Sequence, residues 1–226
     1  MKHEAIMKLL ALETATEACS AAVWVDGTVL ERYEIAPRRH AALILPMVEA
    51  VLAEAELTMH QLDAIAVGRG PGAFTGVRIA IGVAQGLAFA GDLPVVPIST
   101  LAALALGAAR EMGQTRIATA LDARMGEVYW GTWAVSDDRV ALLGEERVCA
   151  PVLVTAPPDE WFGVGSGWSA YAAALSQRLT VSGWLDERYP HASDIARLAA
   201  DPARRDSWMT AEQALPVYLR DRVVGR

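Results

Sequence analysis

Only two cysteines occur in the 226 residues, Cys19 and Cys149, far apart and in no C-x-x-C pair. No disulfide framework is implied, and a reducing compartment fits. Both thiols read as small buried hydrophobes. The four histidines, His3, His40, His60 and His191, form no i, i+4 pair on one helix, so the common helical zinc motif is missing. No serine lies in G-x-S-x-G. No run reaches the roughly 18 apolar residues of a membrane span, and no h-region with a small-residue cleavage site opens the chain. These absences lead to the expectation of a soluble, cytoplasmic protein without membrane contact. An excess of positive charge is lacking too. Lys and Arg number 20 against 27 Asp and Glu, a net charge of −7. That argues against nucleic acid bound by this chain alone.

What the chain has is apolar residues, 53% of the total, enough for one large or two small domains. Its most informative run is GRGPGAFTGVR, Gly68 to Arg78, between the strand-like Leu62–Val67 and the helix-like Val77–Ala90. A glycine-rich turn before a helix can cradle an anion, because the first helical N–H groups are unpaired. Gly68, Arg69, Gly70, Gly72, Thr75 and Gly76 are therefore candidates for nucleotide or phosphate binding, with a rigid turn as the plainer reading. No Lys-Ser or Lys-Thr follows, so this is not a P-loop, and G-x-G-x-x-G is out of register at Thr75.

The remaining pattern alternates strands and helices. Lys8–Leu12, Ser20–Val25 and Thr28–Ile35 read as strands, with Asp26-Gly27 as a hairpin turn. His40–Glu56 reads as a helix, Ala64–Val67 and Leu93–Ile98 as strands, and Thr100–Arg110 as a helix. Near the C-terminus, Ser193–Ala200 reads as a helix capped by Ser193. LLALETATEACSAAVWVDG resembles IATALDARMGEVYWGTWAV from Ile117, which suggests duplicated halves. Each copy ends a strand on an acid, Glu13 or Asp122. Such carboxylates can hold hydrated magnesium, or simply cap a turn. The fold class expected is α/β with mixed sheets.

On the first helix, Ile44, Met47, Val48, Val51 and Ala55 form a stripe that should face the sheet, while Leu43, Leu45 and Leu52 lie off it. A helix apolar on more than one face needs a second cover. The next helix places Ala80, Ala84 and Ala88 beside Gly82 and Gly86, which allows close helix approach. An internal helix pair and a partner-binding surface both fit.

The segments ALETATEACSAAVW, GRGPGAFTGVRIAIGVAQGLA, ISTLAAL, LDARMGEVYW and PVYLR together closely resemble the TsaB family, the dimerisation subunits of the bacterial tRNA threonylcarbamoyladenosine synthase. The match covers nearly the whole chain and is loosest from Val135 to Leu215. It implies the actin-like ATPase (ribonuclease H-like) fold, with two related domains at residues 1–107 and 108–226, the last helix or tail packing back on the first. It also implies a partner role. The catalytic paralogue carries a His-x-x-x-His metal pair where this chain has Thr100 and Leu104, neither of which can replace imidazole. No catalytic residue and no metal ligand are expected. Partner contacts carried over from the family fall at or near Leu43, Ile44, Met47, Val48, Val51, Val77, Ile81, Ala84 and Ala88. The implied partners are the catalytic threonylcarbamoyltransferase paralogue, a small P-loop ATPase, a second copy in isolation, and tRNA only through the complex. No tightly bound cofactor is implied, with ATP or ADP a candidate at the subunit junction.

Two other functions compete. One is an independent magnesium-dependent ATPase or phosphotransferase using Glu13, Asp122 and the glycine turns. The other is a peptidase, for which the residues offer neither zinc ligands nor a nucleophile. Arg220, Arg222 and Arg226 read as a solvated basic tail.

Overall fold

The N-terminal strands pair as their residues dictate. In the computed structural model, which describes residues 6–220, β1 (Lys8–Glu13) pairs antiparallel with β2 (Ala18–Val25), and β2 with β3 (Thr28–Ile35). Asp26 and Gly27 join them with φ of 45° and 90°, the left-handed pair that a two-residue hairpin needs. His3, Arg222 and Arg226 lie outside the described residues. Helix α1 (His40–Glu54) leads to β4 (Ala64–Gly68), and α2 (Phe74–Gly91) leads to β5 (Val95–Ile98). The first sheet has the order β3-β2-β1-β4-β5, with β4 parallel to β1 and to β5.

After α3 (Thr100–Met112) the plan repeats. Strands β6 (Arg116–Arg124) and β7 (Glu127–Ser136) form an antiparallel hairpin, extended by β8 (Arg139–Leu142) and β9 (Arg147–Cys149). Strand β10 (Glu160–Val164) then lies parallel to β6, as β4 does to β1. Helix α4 (Ser166–Ser176), β11 (Thr180–Leu185) and α5 (Ala192–Ala199) follow, and the second sheet runs β11-β10-β6-β7-β8. The two sheets and the repeated hairpin-plus-parallel-strand unit are those of the actin-like ATPase fold.

Three apolar layers hold the halves. Helices α1 and α2 cover the outer face of the first sheet with Ile44, Val48, Val51, Val77 and Ile81 against Leu10, Leu12 and Ile65. Between the sheets, α5 packs on β1 and β2, α3 packs on β6 and β7, and the two helices pack on each other. On the far side, α4 buries Trp168 against Trp130 and Trp161. Each of these indoles has its N–H bonded to a carbonyl, of Ala118, Thr155 and Pro157 respectively, as burial of an aromatic with a polar edge requires. The break expected after residue 107 falls inside α3, and α5 returns to the first sheet.

Two local expectations need correction. Helix α2 has 18 residues of mean hydropathy 1.3, a span-like composition, but it packs its inner residues on the first sheet. The α5 helix begins at Ala192 after His191, and Ser193 does not cap it. The acceptor for the Ser193 N–H is the Glu31 carboxylate, at 2.9 Å, a partner too remote in sequence for a local capping rule to find.

Candidate functional site

The glycine loop, the β1–β2 turn and the start of α3 meet at the mouth between the halves. Glu13 ends β1 there, fully buried. The Ala15 N–H donates to its Oε1 at 2.6 Å, and the Thr100 hydroxyl donates to Oε2 at 3.0 Å. A Cβ on Gly68 would stand 2.0 Å from the same Oε2. Burial lifts the Glu13 pKa from 4.5 to about 7, against the lowering effect of those donors.

The other glycines of the loop serve the same close approach. A Cβ on Gly72 would lie 2.3 Å from the Ala15 carbonyl oxygen, and one on Gly76 would lie 2.1 Å from that of Thr14. The Thr14 hydroxyl donates to the Gly76 carbonyl at 2.7 Å, and the Ala73 N–H donates to Ala15 at 2.7 Å. Gly70 has φ +92°, and its carbonyl accepts from the Thr100 N–H at 3.0 Å. Arg69 turns to Glu146 at 3.0 Å, a carboxylate that also accepts from the Ser99 hydroxyl. Thr75 is exposed on the first turn of α2. At Gly72 and Gly76 the space a side chain would take is filled by the backbone of the β1–β2 turn.

The second half closes in the same way. Asp122 accepts from the Arg124 N–H at 2.9 Å and from its guanidinium at 3.0 Å. Gly165 and Gly167 press on Ala120, to which added Cβ atoms would come within 2.5 and 2.8 Å. Between the hairpin turns remains a cavity of about 230 Å3, lined by Thr16, Gly72, Asp122, Arg124, Ser166 and Arg220 among others. That is below the roughly 300 Å3 at which small-molecule sites begin. No cluster of three or more His, Cys, Asp or Glu suited to a metal occurs among the described residues. Thr100 and Leu104 are both buried, Thr100 on Glu13 and Leu104 beside Gly165.

The sequence reading missed a second cavity, of about 550 Å3, among Tyr33, α3 and the start of α5. In its wall Arg110 pairs with Asp194 at 2.9 Å and Arg188 with Glu111 at 2.7 Å, while His191 pairs at 3.0 Å with Glu31, which lies outside the lining. Burial raises the Asp194 pKa to about 6 despite Arg110. No local motif joins residues so far apart in sequence.

The carried-over partner residues mostly face inward. Ile44, Met47, Val48, Val51, Val77, Ile81, Ala84 and Ala88 are buried against the chain's own sheet, and Leu43 is half-buried. The helical stripe was therefore the sounder guide to their direction. The outward face of the same helices carries Ala42, Leu45, Pro46, Glu49 and Ala53 on α1, and Arg78, Gly82, Gly86 and Phe89 on α2. Nothing lies within 4 Å of a Cβ added to Gly82 or Gly86. An exposed glycine inside a helix costs about 1 kcal/mol relative to alanine, and here no contact within the chain offsets it.

Comparison with known proteins agrees with this architecture. The chain is 43% identical to the tRNA threonylcarbamoyladenosine biosynthesis protein TsaB of Escherichia coli, covering 97% of each, and 40% identical to that of Haemophilus influenzae, covering 97% of this chain and 96% of that one. The chain belongs to the TsaB family. Residues 32–160 also match the family described as TsaD, tRNA N6-adenosine threonylcarbamoyltransferase. The solved structure of YeaZ from Pseudomonas aeruginosa is 50% identical and superposes with a TM-score of 0.89 over 94% of this chain and 100% of that one.

Glu13 gives a pH prediction. Its folded pKa is raised, so its stabilising contribution is complete below about pH 4.5 and is lost as pH rises through about 7. The shift corresponds to about 3 kcal/mol. Glu13→Gln keeps an acceptor for Ala15 without the charge, so thermal melts from pH 5 to 8.5 should show the wild type losing stability and the variant much flatter. Asp194, raised in the same sense, supplies the residual slope. Parallel curves would remove Glu13 as the source.

Proposed function

We propose that this chain is a non-catalytic partner subunit in the formation of threonylcarbamoyladenosine in tRNA, at the adenosine next to the anticodon. It binds the catalytic threonylcarbamoyltransferase paralogue and activates it. The small P-loop ATPase joins the same assembly, and tRNA is held only through the complex. In isolation the chain pairs with itself through the same surface. ATP or ADP, where it takes part, lies at the subunit junction rather than in the closed cleft.

The observation that carries this reading is the outward face of α1 and α2. Leu45 is 46% exposed and Phe89 79% exposed, beside two helix glycines facing open space. Small residues let a partner's backbone approach closely, and the apolar surface around them gains from being covered. The cleft supports the same reading, since its acid is buried and its glycines are occupied. An independent ATPase would need that cleft for nucleotide.

Reconstitution tests the proposal. Unmodified tRNA, threonine, bicarbonate and ATP are combined with the adenylate-forming enzyme, the catalytic paralogue and the small ATPase, with and without this chain. Mass spectrometry of digested tRNA should show threonylcarbamoyladenosine only when the chain is present. Equal modification in its absence would overturn the proposal.

A further inference from the structure

The last described residues do not trail into solvent. Residues 214–220 run without regular secondary structure from α2 to the β6–β7 hairpin, so they cross from one half of the molecule to the other. On the first half, Gln85 Nε2 donates to the Ala214 carbonyl at 2.9 Å, and the Val217 N–H donates to the Arg69 carbonyl at 2.9 Å. Arg78 Nε donates to the Tyr218 hydroxyl at 2.7 Å, with its guanidinium 3.4 Å from the centre of the Phe74 ring. On the second half, Arg220 Nη2 donates to the Ala123 carbonyl at 3.1 Å and pairs with the Glu127 carboxylate. Arg220 also forms part of the wall of the 230 Å3 cavity.

We propose that residues 214–220 are a brace that holds the tip of the β6–β7 hairpin against the glycine loop and so keeps the cleft closed. The tip has little else to hold it. Arg124 and Met125 adopt φ of 63° and 57°, and Met125 is 80% exposed, so no apolar anchor fixes the turn. The direct link from the tip to the β1–β2 turn is Arg124 to Glu17 at 3.4 Å, an exposed pair of the kind that adds little. Arg220, by contrast, is mostly buried and bonds a backbone carbonyl as well as a carboxylate.

The brace itself is weakly seated. Ala214 is buried in the core of the first half, but beyond it Leu215 and Tyr218 are 64% and 47% exposed, so hydrogen bonds rather than buried apolar surface hold the rest of the segment. Such a segment opens locally without global unfolding. The apolar layer of α3 and α5 is shared by both sheets and keeps the halves together when it does. The motion that release permits is confined to the hairpin tip and widens a cavity that is now smaller than a ligand.

Distance measurement tests this on the chain alone, independently of any partner. Spin labels are placed at Ala73→Cys and Met125→Cys, on opposite walls of the cavity, in a Cys19→Ala, Cys149→Ser background. The parent should give one short, narrow distance distribution. Arg220→Ala, and a chain ending at Pro216, should give longer and broader ones. In the unlabelled chain, amide exchange across 121–129 should quicken about tenfold in Arg220→Ala, the factor for one charge-assisted hydrogen bond. Arg139→Ala, which removes the pair to Asp201 at 3.5 Å, should leave that hairpin unchanged. If the truncated chain does not fold, Arg220→Ala decides alone. Unaltered distances and unaltered exchange in Arg220→Ala would overturn the brace.

Discussion

Gly76→Ala is expected to destabilise the fold by about 3 kcal/mol, while Gly82→Ala, six residues further along the same helix, is expected to stabilise it by about 1 kcal/mol. The two positions share a helix and differ in what faces them. At Gly76 an added methyl meets the Thr14 carbonyl oxygen at 2.1 Å, and that oxygen belongs to a turn pinned by the Thr14 hydroxyl bond and the Glu13 to Ala15 bond. Backbone held on both sides cannot step aside, so the overlap is relieved only by lifting α2 off the sheet. At Gly82 the methyl enters open space, and the helix gains alanine's lower conformational entropy cost. Thermal melts at a concentration where the chain is monomeric separate the cases, at roughly 2–4 °C per kcal/mol for a domain of this size. Shifts of the same sign would mean that packing against the β1–β2 turn does not decide Gly76.

That contrast shows where sequence reading stopped. The first three strands and helices α1 to α3 were legible, because Asp26-Gly27 marks a hairpin and the apolar residues of α1 keep a helical period. The repeated hairpin was legible too, since its two copies keep the same order of apolar run, acid and turn. The meaning of the glycines was not. Gly72 and Gly76 face the β1–β2 turn, while Gly82 and Gly86 face solvent, and a glycine carries no side chain to say which. Glu13 could be read as a strand-end carboxylate, but its burial is made by Gly68 and by Thr100, 87 residues away. Strand β11 escaped notice because Thr180–Leu185 has weak alternation and carries an extra residue, Ser182, that shifts its register. Helix α4 is interrupted at Tyr171, where φ is −134°, which blurs its period.

The same distinction between inner and outer face decides how the partner surface must be tested. Ile44→Glu or Val48→Glu would place a carboxylate in the chain's own core, against Leu10, Leu12 and Ile65, with no partner for the charge. Burying an unpaired carboxylate is costly enough to unfold a marginal domain. Lost pairing in such a variant would report unfolding rather than an interface. Leu45→Glu combined with Gly86→Leu changes only residues that point outward, one adding charge and the other filling the space a partner's backbone would need. The chain alone should keep its melting temperature or gain a few degrees, because the surface change at Leu45 stays within about 0.5 kcal/mol and replacing an exposed helix glycine contributes up to about 1 kcal/mol. Pairing with the catalytic paralogue, and with a second copy, should weaken by more than about 100-fold, as expected when a carboxylate is desolvated without a partner. Light scattering coupled to gel filtration reads the second copy, and co-purification reads the paralogue. A folded double variant that still pairs at wild-type strength would move the partner surface off α1 and α2 altogether.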